Sequence, residues 1–349
     1  MASQKQAIAN KILIIGPSWV GDMVMAQSLF MLLKQQSPNS LIDVLAPSWS
    51  RPILDRMPEV RKSIDMPIGH GSIKWALRRK IGIELRTERY SQAIILPNSI
   101  KSALIPWFAK IRLRTGWKGE MRYGLLNDIR NLDKERYPLM VERFGALALP
   151  KGAILPTPVP SPVLRRDKEK ASKLTGQLGL HSDRKVLVLC PGAEFGPAKQ
   201  WPEKHYAEVA AKKISDGWQI WLLGSERDKK VGQKIVNLLS LNDRNYSYNL
   251  AGVTKLGDAI DLLSIADAVV SNDSGLMHIS AALGRPLVVL YGSTSPDFTP
   301  PLSDKAAMLS IPVECGPCFQ RECPFNNMKC LNELSPAKVI SELSRLVVN

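Results

Sequence analysis

The chain contains a polar turn between two apolar runs that could bind an anionic ligand. Residues 268–292 read AVVSNDSGLMHISAALGRPLVVLYG, which predicts a strand, a turn, a helix and a second strand. In open parallel sheets a ligand binds outside the carboxyl ends of the strands, where loops run into helices. The turn therefore predicts a ligand site formed by Asp273, Ser274, Gly275 and His278.

The same turn suggests how a phosphate and a sugar could be held. The backbone amides of residues 274–276 would open the helix and point at an anion, so a diphosphate could dock there without a metal ion. Asp273 would repel phosphate and is better suited to accept hydrogen bonds from sugar hydroxyls. The alternative is structural: Asp273 or Ser274 caps the helix, and His278 is a satisfied, half-buried side chain.

A second loop follows another apolar run and reads CPGAEFGPAKQWP over residues 190–202. Its glycines, Gly192 and Gly196, let the backbone approach a ligand closely, and Lys199 can place an ammonium group against phosphate oxygens. The loop is not a Walker A sequence, because Lys199 is neither preceded by Gly nor followed by Ser or Thr. Phosphate binding and a solvated lysine are the two interpretations of this loop.

The first apolar run, KILII at residues 11–15, leads into GPSWVGD at residues 16–22. Its glycines do not form the G-x-G-x-x-G pattern of a dinucleotide site, which argues against NAD or FAD. Asp22 falls at a predicted helix start, where the helix dipole stabilises a capping or first-turn carboxylate. The functional alternative makes Asp22 a general base, although the same dipole lowers its basicity.

Four cysteines cluster in the pattern C-x2-C-x4-C-x6-C, and Cys190 stands apart from them. In a cytoplasmic protein such a cluster favours a metal over disulfides, but the later spacings are not those of a zinc ribbon. A structural zinc site, reduced thiols and a redox pair are the alternatives, and we expect no metal in the chemistry. The cluster consists of Cys315, Cys318, Cys323 and Cys330.

Apolar runs alternate with helical patterns along the chain, among them a helix at residues 23–34 and a third strand at residues 64–68, which predicts doubly wound parallel sheets. Residues 149–162 interrupt this alternation with five prolines, as expected of a linker. The predicted fold class is α/β, with two Rossmann-like domains facing each other across a cleft. We assign residues 1–155 to the first domain, 156–335 to the second, and 336–349 to a C-terminal helix expected to pack back towards the first domain.

The chain has a net charge of +15, and residues 1–150 hold 23 Lys and Arg against 12 Asp and Glu. Such a surplus indicates an anionic partner, namely nucleic acid, a phosphorylated glycan or an anionic membrane, unless it serves solubility alone. No apolar run approaches the roughly 20 residues of a membrane-spanning helix, and the N-terminus does not resemble a secretory signal. We therefore expect a cytoplasmic protein.

Several motifs together resemble glycosyltransferase family 9. They are GPSWVGD at 16–22, PGAEFGPAKQWP at 191–202, NDSGLMH at 272–278 and YGSTSP at 291–296. RTGWKGEMRYGLLND at 114–128 and PLMVER at 138–143 extend the resemblance over most of the chain. The second-domain motifs are shared by the wider family, whereas the first-domain segments favour the members that add the second heptose of a lipopolysaccharide core.

The resemblance implies a GT-B-type fold and an inverting transfer of L-glycero-D-manno-heptose from ADP-heptose to the first heptose of heptosyl-Kdo2-lipid A. It further implies that Asp22 is the general base, that Lys199 acts on the donor phosphates, and that catalysis needs no cofactor. The donor-binding residues that it implies are Gly192, Ala193, Glu194, Lys199, Asp273, Ser274, Gly275 and His278.

The implied acceptor carries Kdo carboxylates and lipid A phosphates, which suits the basic first domain. We expect it to contact Ser18, Lys101, Arg114, Lys118 and Arg122. Because this acceptor is embedded in a membrane, the basic surface would hold the enzyme peripherally at the cytoplasmic face of the inner membrane.

Three alternatives remain at this point. Transfer of the first heptose would need the same donor, and a sugar-nucleotide epimerase can have the same GT-B architecture. A basic nucleic-acid-binding protein would explain the charge, but no binding motif is present and the aromatic content is only 6%, so no nucleic-acid partner is expected.

Overall fold

The chain forms two compact units, Met1–Pro162 and Val163–Asn349. The structure is a computed structural model and describes residues 10–69, 71–181 and 183–348. The division falls at the end of the proline-rich stretch, seven residues after the predicted boundary at 155. This stretch lies on the first unit, where the Ser28 hydroxyl donates to the Pro160 carbonyl oxygen at 2.6 Å.

The first unit is a parallel sheet with helices between its strands. Its strands are β1 (Lys11–Ile15), β2 (Leu41–Ala46), β3 (Val60–Asp65), β4 (Gln92–Ile95), β5 (Leu113–Trp117) and β6 (Asp128–Arg130). Its helices are α1 (Val20–Met25), α2 (Gln27–Gln36), α3 (Arg51–Leu54), α4 (Trp75–Glu84), α5 (Ile100–Phe108) and α6 (Met140–Ala148).

The second unit repeats this plan. Its strands are β7 (Val186–Cys190), β8 (Gln219–Leu222), β9 (Ser247–Asn249), β10 (Ala268–Asn272), β11 (Leu287–Leu290) and β12 (Ala306–Leu309). Its helices are α7 (Lys168–Gln177), α8 (Glu203–Ser215), α9 (Lys229–Leu238), α10 (Leu241–Arg244), α11 (Leu256–Ile265), α12 (Gly275–Ala282), α13 (Lys329–Asn332) and α14 (Pro336–Val348). Short 3-10 turns occur at Ser48–Ser50, Leu85–Glu88, Pro197–Lys199 and Glu226–Asp228.

The two sheets have the same topology. The order is β3-β2-β1-β4-β5-β6 in the first and β12-β11-β10-β7-β8-β9 in the second, and every pairing between neighbours is parallel. The strand order reverses between β1 and β4 and between β7 and β10. Such a reversal leaves a crevice outside the carboxyl ends of the two central strands.

The central strands are buried because both of their faces are covered by helices. Every residue of β7, β10 and β11 is buried, and β7 reads VLVLC without a charged side chain. The pattern is different in β3, whose sequence VRKSID alternates between exposed and half-buried positions at the sheet edge. The buried central strands therefore form the cores of the two units, and their carboxyl ends position the loops that carry the predicted site residues.

Several predicted elements need correction. The third strand runs over Val60–Asp65 rather than residues 64–68. The single helix expected between residues 23 and 34 is two helices, α1 and α2, which meet at Ala26. Helix α14 packs on α8, β11 and β12 of its own unit, and its expected packing towards the first domain stays a prediction. None of the helices in the described ranges is long and apolar enough to cross a membrane.

Candidate functional site

The loops that follow β7 and β10 lie side by side in the second unit, because these strands are neighbours with Ser271 level with Cys190. The loop after β7 carries Lys199, and the turn after β10 carries Asp273. The two residues are 74 positions apart in sequence, yet the Lys199 Nζ atom lies 2.6 Å from Asp273 Oδ2. The two sequence motifs therefore form one site.

The Lys199–Asp273 ion pair is largely shielded from solvent. The two side chains are 12% and 5% exposed, and Thr294, after β11, donates its hydroxyl to the same carboxylate oxygen at 2.6 Å. Asp273 was expected to accept hydrogen bonds from a sugar, but two of its acceptor positions are already used by the protein. Removing one partner of a buried ion pair costs about 3–5 kcal/mol, so the pair fixes both loops.

Asn272, the last residue of β10, connects the turn after β10 to the loop after β7 by side-chain hydrogen bonds. Its amide donates to the Pro191 carbonyl oxygen at 2.7 Å. Its Oδ1 atom accepts from the Tyr206 hydroxyl at 2.9 Å and from the Trp201 backbone amide at 3.2 Å. All of these groups are buried, and a buried polar group left unpaired is costly. Asn272, Tyr206 and Thr294 were not among the predicted site residues; the position of Asn272 at the end of β10 and of Thr294 in the loop after β11 was the available signal.

Helix α12 begins at the turn after β10, with its first residue Gly275 preceded by an extended Ser274. The orientation agrees with the predicted anion site, because the first backbone N–H groups of a helix have no partner within the helix. Further along α12, His278 is only 6% exposed, not half-buried as expected. Burial lowers the pKa of His278 to about 4, with a further lowering by Lys199 that Asp273 opposes. His278 is therefore neutral near pH 7.

The remaining residues of the loop after β7 are closely packed or exposed. Gly192 lies against the Asp228 carboxylate, which a Cβ atom at this position would meet. Ala193 is half-buried. Glu194 is exposed, and its carboxylate pairs with Arg227 at 3.1 Å. Gly192 is therefore needed for close packing, and direct contact of these three residues with a donor stays a prediction.

In the first unit, Ser18 and Asp22 lie directly after β1. Ser18 is in the connecting loop and Asp22 is in the first turn of α1, and both are half-buried. Gly16 permits this tight turn, because a Cβ atom there would come within 2.8 Å of the Met23 side chain. The sequence therefore positions the Asp22 carboxylate at the carboxyl edge of the sheet, on the strand where the order reverses.

Lys101 and Lys118 lie at the same edge, after the neighbouring strands β4 and β5. Lys101 is near the start of α5 and half-buried, and Lys118 is exposed. The Glu120 carboxylate joins the two loops by accepting from the Ile100 backbone amide at 2.7 Å. Four of the five predicted acceptor residues follow β1, β4 or β5, so they lie along the carboxyl edge of the first sheet.

Arg122 and Arg114 have a different role from the one expected for an acceptor contact. Arg122 is 2% exposed, and its guanidinium donates to the carbonyl oxygens of Pro97, at 2.8 Å, and Trp117. Arg114 donates to the Leu125 carbonyl oxygen at 2.6 Å. Burial lowers the pKa of both guanidinium groups. Arg122 holds the loops of this edge together, whereas Arg114, near the start of β5, donates to carbonyl oxygens of the chain before and after the strand. Direct contact of either arginine with an acceptor stays a prediction.

Three cysteines of the cluster, Cys315, Cys318 and Cys323, lie in the loop between β12 and α13, and Cys330 lies in α13; all five cysteines of the chain are free thiols. Burial and the neighbouring thiols raise the pKa of Cys330, whereas backbone hydrogen bonds from Met328 and nearby residues lower that of Cys323. In the described ranges, no three His, Cys, Asp or Glu side chains are grouped so that they could hold a metal ion. The four thiols are not grouped as ligands here, and a structural zinc ion held by Cys315, Cys318, Cys323 and Cys330 stays a prediction.

Comparison with known proteins agrees with this fold. The sequence matches the model of Glycosyltransferase family 9 (heptosyltransferase) over residues 78–329. It is 50% identical over 343 residues to Lipopolysaccharide heptosyltransferase 2 of Escherichia coli strain K12, covering 97% of this chain and 99% of that protein. It is also 52% identical over 308 residues to Lipooligosaccharide heptosyltransferase 2 of Haemophilus influenzae, covering 86% and 88%.

A solved structure extends the comparison to three dimensions. The structure described as E. coli ADP-heptose lps heptosyltransferase II aligns with a TM-score of 0.88 at 49% identity, over 97% of this chain and 98% of that one. The α/β fold of GT-B type predicted from the sequence is thereby confirmed.

Proposed function

The chain belongs to glycosyltransferase family 9, and from that membership we propose that it transfers L-glycero-D-manno-heptose from ADP-heptose to the first heptose of the lipopolysaccharide inner core. The relatives named heptosyltransferase 2 support the second-heptose reaction. The observation that carries the proposal is the Lys199–Asp273 pair beside the start of α12. A lysine and helix amides at this position suit the diphosphate of a sugar-nucleotide donor.

The second unit supplies stabilisation for the leaving group. As the bond between the heptose C1 and the diphosphate oxygen breaks, its electron pair passes to ADP, whose phosphate charge grows. Lys199 and the first amides of α12 are fixed before the reaction, and such preorganised groups typically accelerate it by about 10²- to 10³-fold each. These groups would let ADP leave without a metal, so we expect enzyme treated with EDTA to keep its activity.

Asp22 serves as the general base in this mechanism. Its carboxylate takes the proton from the acceptor hydroxyl while the hydroxyl oxygen forms the new bond to C1, and direct displacement inverts the anomeric centre. A base of this kind contributes about 10²- to 10⁴-fold. The position of Asp22 in the first turn of α1 keeps the carboxylate ionised, because the helix dipole favours a negative charge there.

Transfer assays with purified acceptors test the proposal. We expect the enzyme to convert heptosyl-Kdo2-lipid A with ADP-heptose into a product heavier by one heptose, measured by mass spectrometry. Transfer to Kdo2-lipid A instead would identify a first-heptose enzyme. Consumption of ADP-heptose without any acceptor would point to an epimerase, and either result would contradict the proposed reaction.

The membrane contact that we propose uses an exposed face of α4 and α5 in the first unit. Trp75 is 53% exposed and Trp107 is 42% exposed, and their rings contact Phe108 edge-on, at 5.1 and 5.0 Å between centroids. Tryptophan favours the interface of a bilayer, and nearby basic groups favour anionic lipids. The exposed basic residues of these helices and their ends are Lys74, Arg79, Lys80 and Lys110.

A further inference from the structure

The loop between β12 and α13, which carries three of the four clustered cysteines, is joined to the donor loops by its backbone. The Ala198 amide donates to the Arg321 carbonyl oxygen at 3.1 Å, and the Phe319 amide donates to the Ser293 carbonyl oxygen at 2.7 Å. Gly196 makes this approach possible, because a Cβ atom there would collide with the Arg321 carbonyl group. The loop is therefore a fixed wall of the site, although the mechanism above does not use it.

This wall places a second cation near Lys199. The Arg321 guanidinium carbon lies 5.5 Å from the centre of the Phe195 ring, and Lys199 Nζ lies 4.9 Å from the centre of the same ring. Arg321 is exposed. In the described part of the chain, no carboxylate lies within 4.0 Å of its guanidinium. Its charge is thus available to a ligand, whereas that of Lys199 is opposed by Asp273.

Without a further cation, the site has too little positive charge to balance a diphosphate. Lys199 and Asp273 together are neutral, and the start of α12 contributes only about half a positive elementary charge. The diphosphate of a sugar nucleotide carries more negative charge than that, and the charge increases further when ADP leaves. A guanidinium suits the task, since its planar donors match phosphate oxygens in pairs.

We propose that Arg321 is a second phosphate-binding residue, which leaves the face of Phe195 to contact the diphosphate of the donor and of the departing ADP. This inference rests on the proposed function, because it requires a nucleoside diphosphate ligand in the second unit. It assigns a role to this wall, which carries three of the four clustered cysteines: the loop supplies a cation that stabilises the leaving group.

Calorimetric titration with ADP and with adenosine tests the proposal, because adenosine lacks the phosphates. We expect Arg321→Ala to weaken ADP binding by about 10-fold or more, as for the loss of a charge-assisted hydrogen bond, and to leave adenosine binding unchanged. Arg321→Lys should fall between the wild type and the alanine variant. Lys329→Ala is the matched control, because Lys329 is also exposed, follows the same loop and pairs with Glu333 at 4.0 Å.

Three results would overturn the inference. If Arg321→Ala binds ADP as the wild type does, the guanidinium does not contact phosphate. If the variant loses ADP and adenosine affinity equally, Arg321 only supports the loop. If the wild type itself fails to bind ADP, the proposed function fails first, and with it the inference.

Discussion

Asp273 shows how much of the candidate site is held by the protein itself. Its carboxylate accepts from Lys199 and from Thr294, both at 2.6 Å. A donor phosphate that contacts Lys199 would therefore compete with Asp273 for the ammonium group. Binding of the donor and the orientation of Asp273 are coupled in this arrangement, so either side chain can affect the placement of the other.

His278 gives the site a pH dependence that can be measured. Its pKa is lowered by burial from 6.5 to about 4, so the unfolded chain binds a proton more readily than the folded one. The contribution of the neutral His278 to the free energy of unfolding is therefore complete above about pH 6.5 and is lost as the pH falls towards about 4. Between pH 7 and pH 5 we expect the wild type to lose about 2 kcal/mol more of its free energy of unfolding than His278→Gln does.

Urea denaturation of both proteins over this pH range provides the measurement. The comparison with His278→Gln separates the histidine from carboxylates that also titrate in acid, such as Glu88, whose pKa is lowered to about 2. Parallel stability curves for the two proteins would show that His278 does not titrate in this way.

At these positions the sequence pointed to candidate residues but not to their contacts. Lys199 and Asp273 were recognised as site residues from their motifs, but their ion pair joins residues 74 positions apart and depends on the strand order. Arg122 shows the converse, because a count of charges cannot tell an exposed arginine from one whose donors serve backbone carbonyl oxygens. The contacts of Lys199 and of Arg122 both depend on tertiary hydrogen bonds, which a local sequence pattern does not encode.

The strands β7 and β10 form the element that supports the proposed donor site, and Asn272 connects their ends. Replacement by alanine would leave the Tyr206 hydroxyl, the Trp201 amide and the Pro191 carbonyl oxygen without this partner. Each buried group left unpaired costs about 1–3 kcal/mol. The Tyr206 hydroxyl keeps the Cys190 carbonyl oxygen at 3.4 Å, so two groups lose their partner. We therefore expect Asn272→Ala to lower the free energy of unfolding by at least about 2 kcal/mol and to weaken ADP binding.

Chemical denaturation with calorimetric ADP titration checks this expectation. Asn237→Ala is the control, because the Asn237 side chain is exposed and bonds only to Gln233, at 2.9 Å, among the side-chain contacts of the described residues. An Asn272→Ala protein as stable as this control would mean that the two strand ends do not depend on the amide.

Central and edge strands differ in how well the sequence predicts them. The buried strands β1, β7 and β10 contain runs of at least three consecutive apolar residues, which is the pattern of a strand covered on both faces. The edge strands β3 and β6 contain charged residues, and β6 is only three residues long. Charged, short edge strands resist pairing with other chains, and for the same reason they lack a pattern that sequence analysis can recognise.

The net charge of +15 is the property of the whole molecule that bears on its proposed binding to a membrane. Part of the surplus in the first unit is structural, because Arg78 and Arg122 are buried. Arg78 donates to the Ile73 carbonyl oxygen at 2.6 Å and to that of Lys101 at 3.1 Å. The basic residues that remain exposed around α4 and α5 therefore carry the proposed attraction to a membrane.

Vesicle cosedimentation tests this attraction. We expect the wild type to bind vesicles that contain anionic phosphatidylglycerol and to bind neutral phosphatidylcholine vesicles poorly, with binding that weakens as salt is added. The Trp75→Ala, Trp107→Ala double variant should bind the anionic vesicles more weakly. Trp49→Ala, which removes another exposed tryptophan of the first unit, is the control. Equal binding of all three proteins would exclude this face.

The most direct test of the proposed chemistry is the activity of Asp22→Asn, which keeps the size of the side chain and removes the base. We predict that kcat for transfer to heptosyl-Kdo2-lipid A falls by about 10²- to 10⁴-fold, while the affinity for ADP is unchanged. Asp55→Asn, the same change at an exposed position of the first unit, should keep full activity. An Asp22→Asn enzyme with the wild-type kcat would contradict the assignment of Asp22 as the general base.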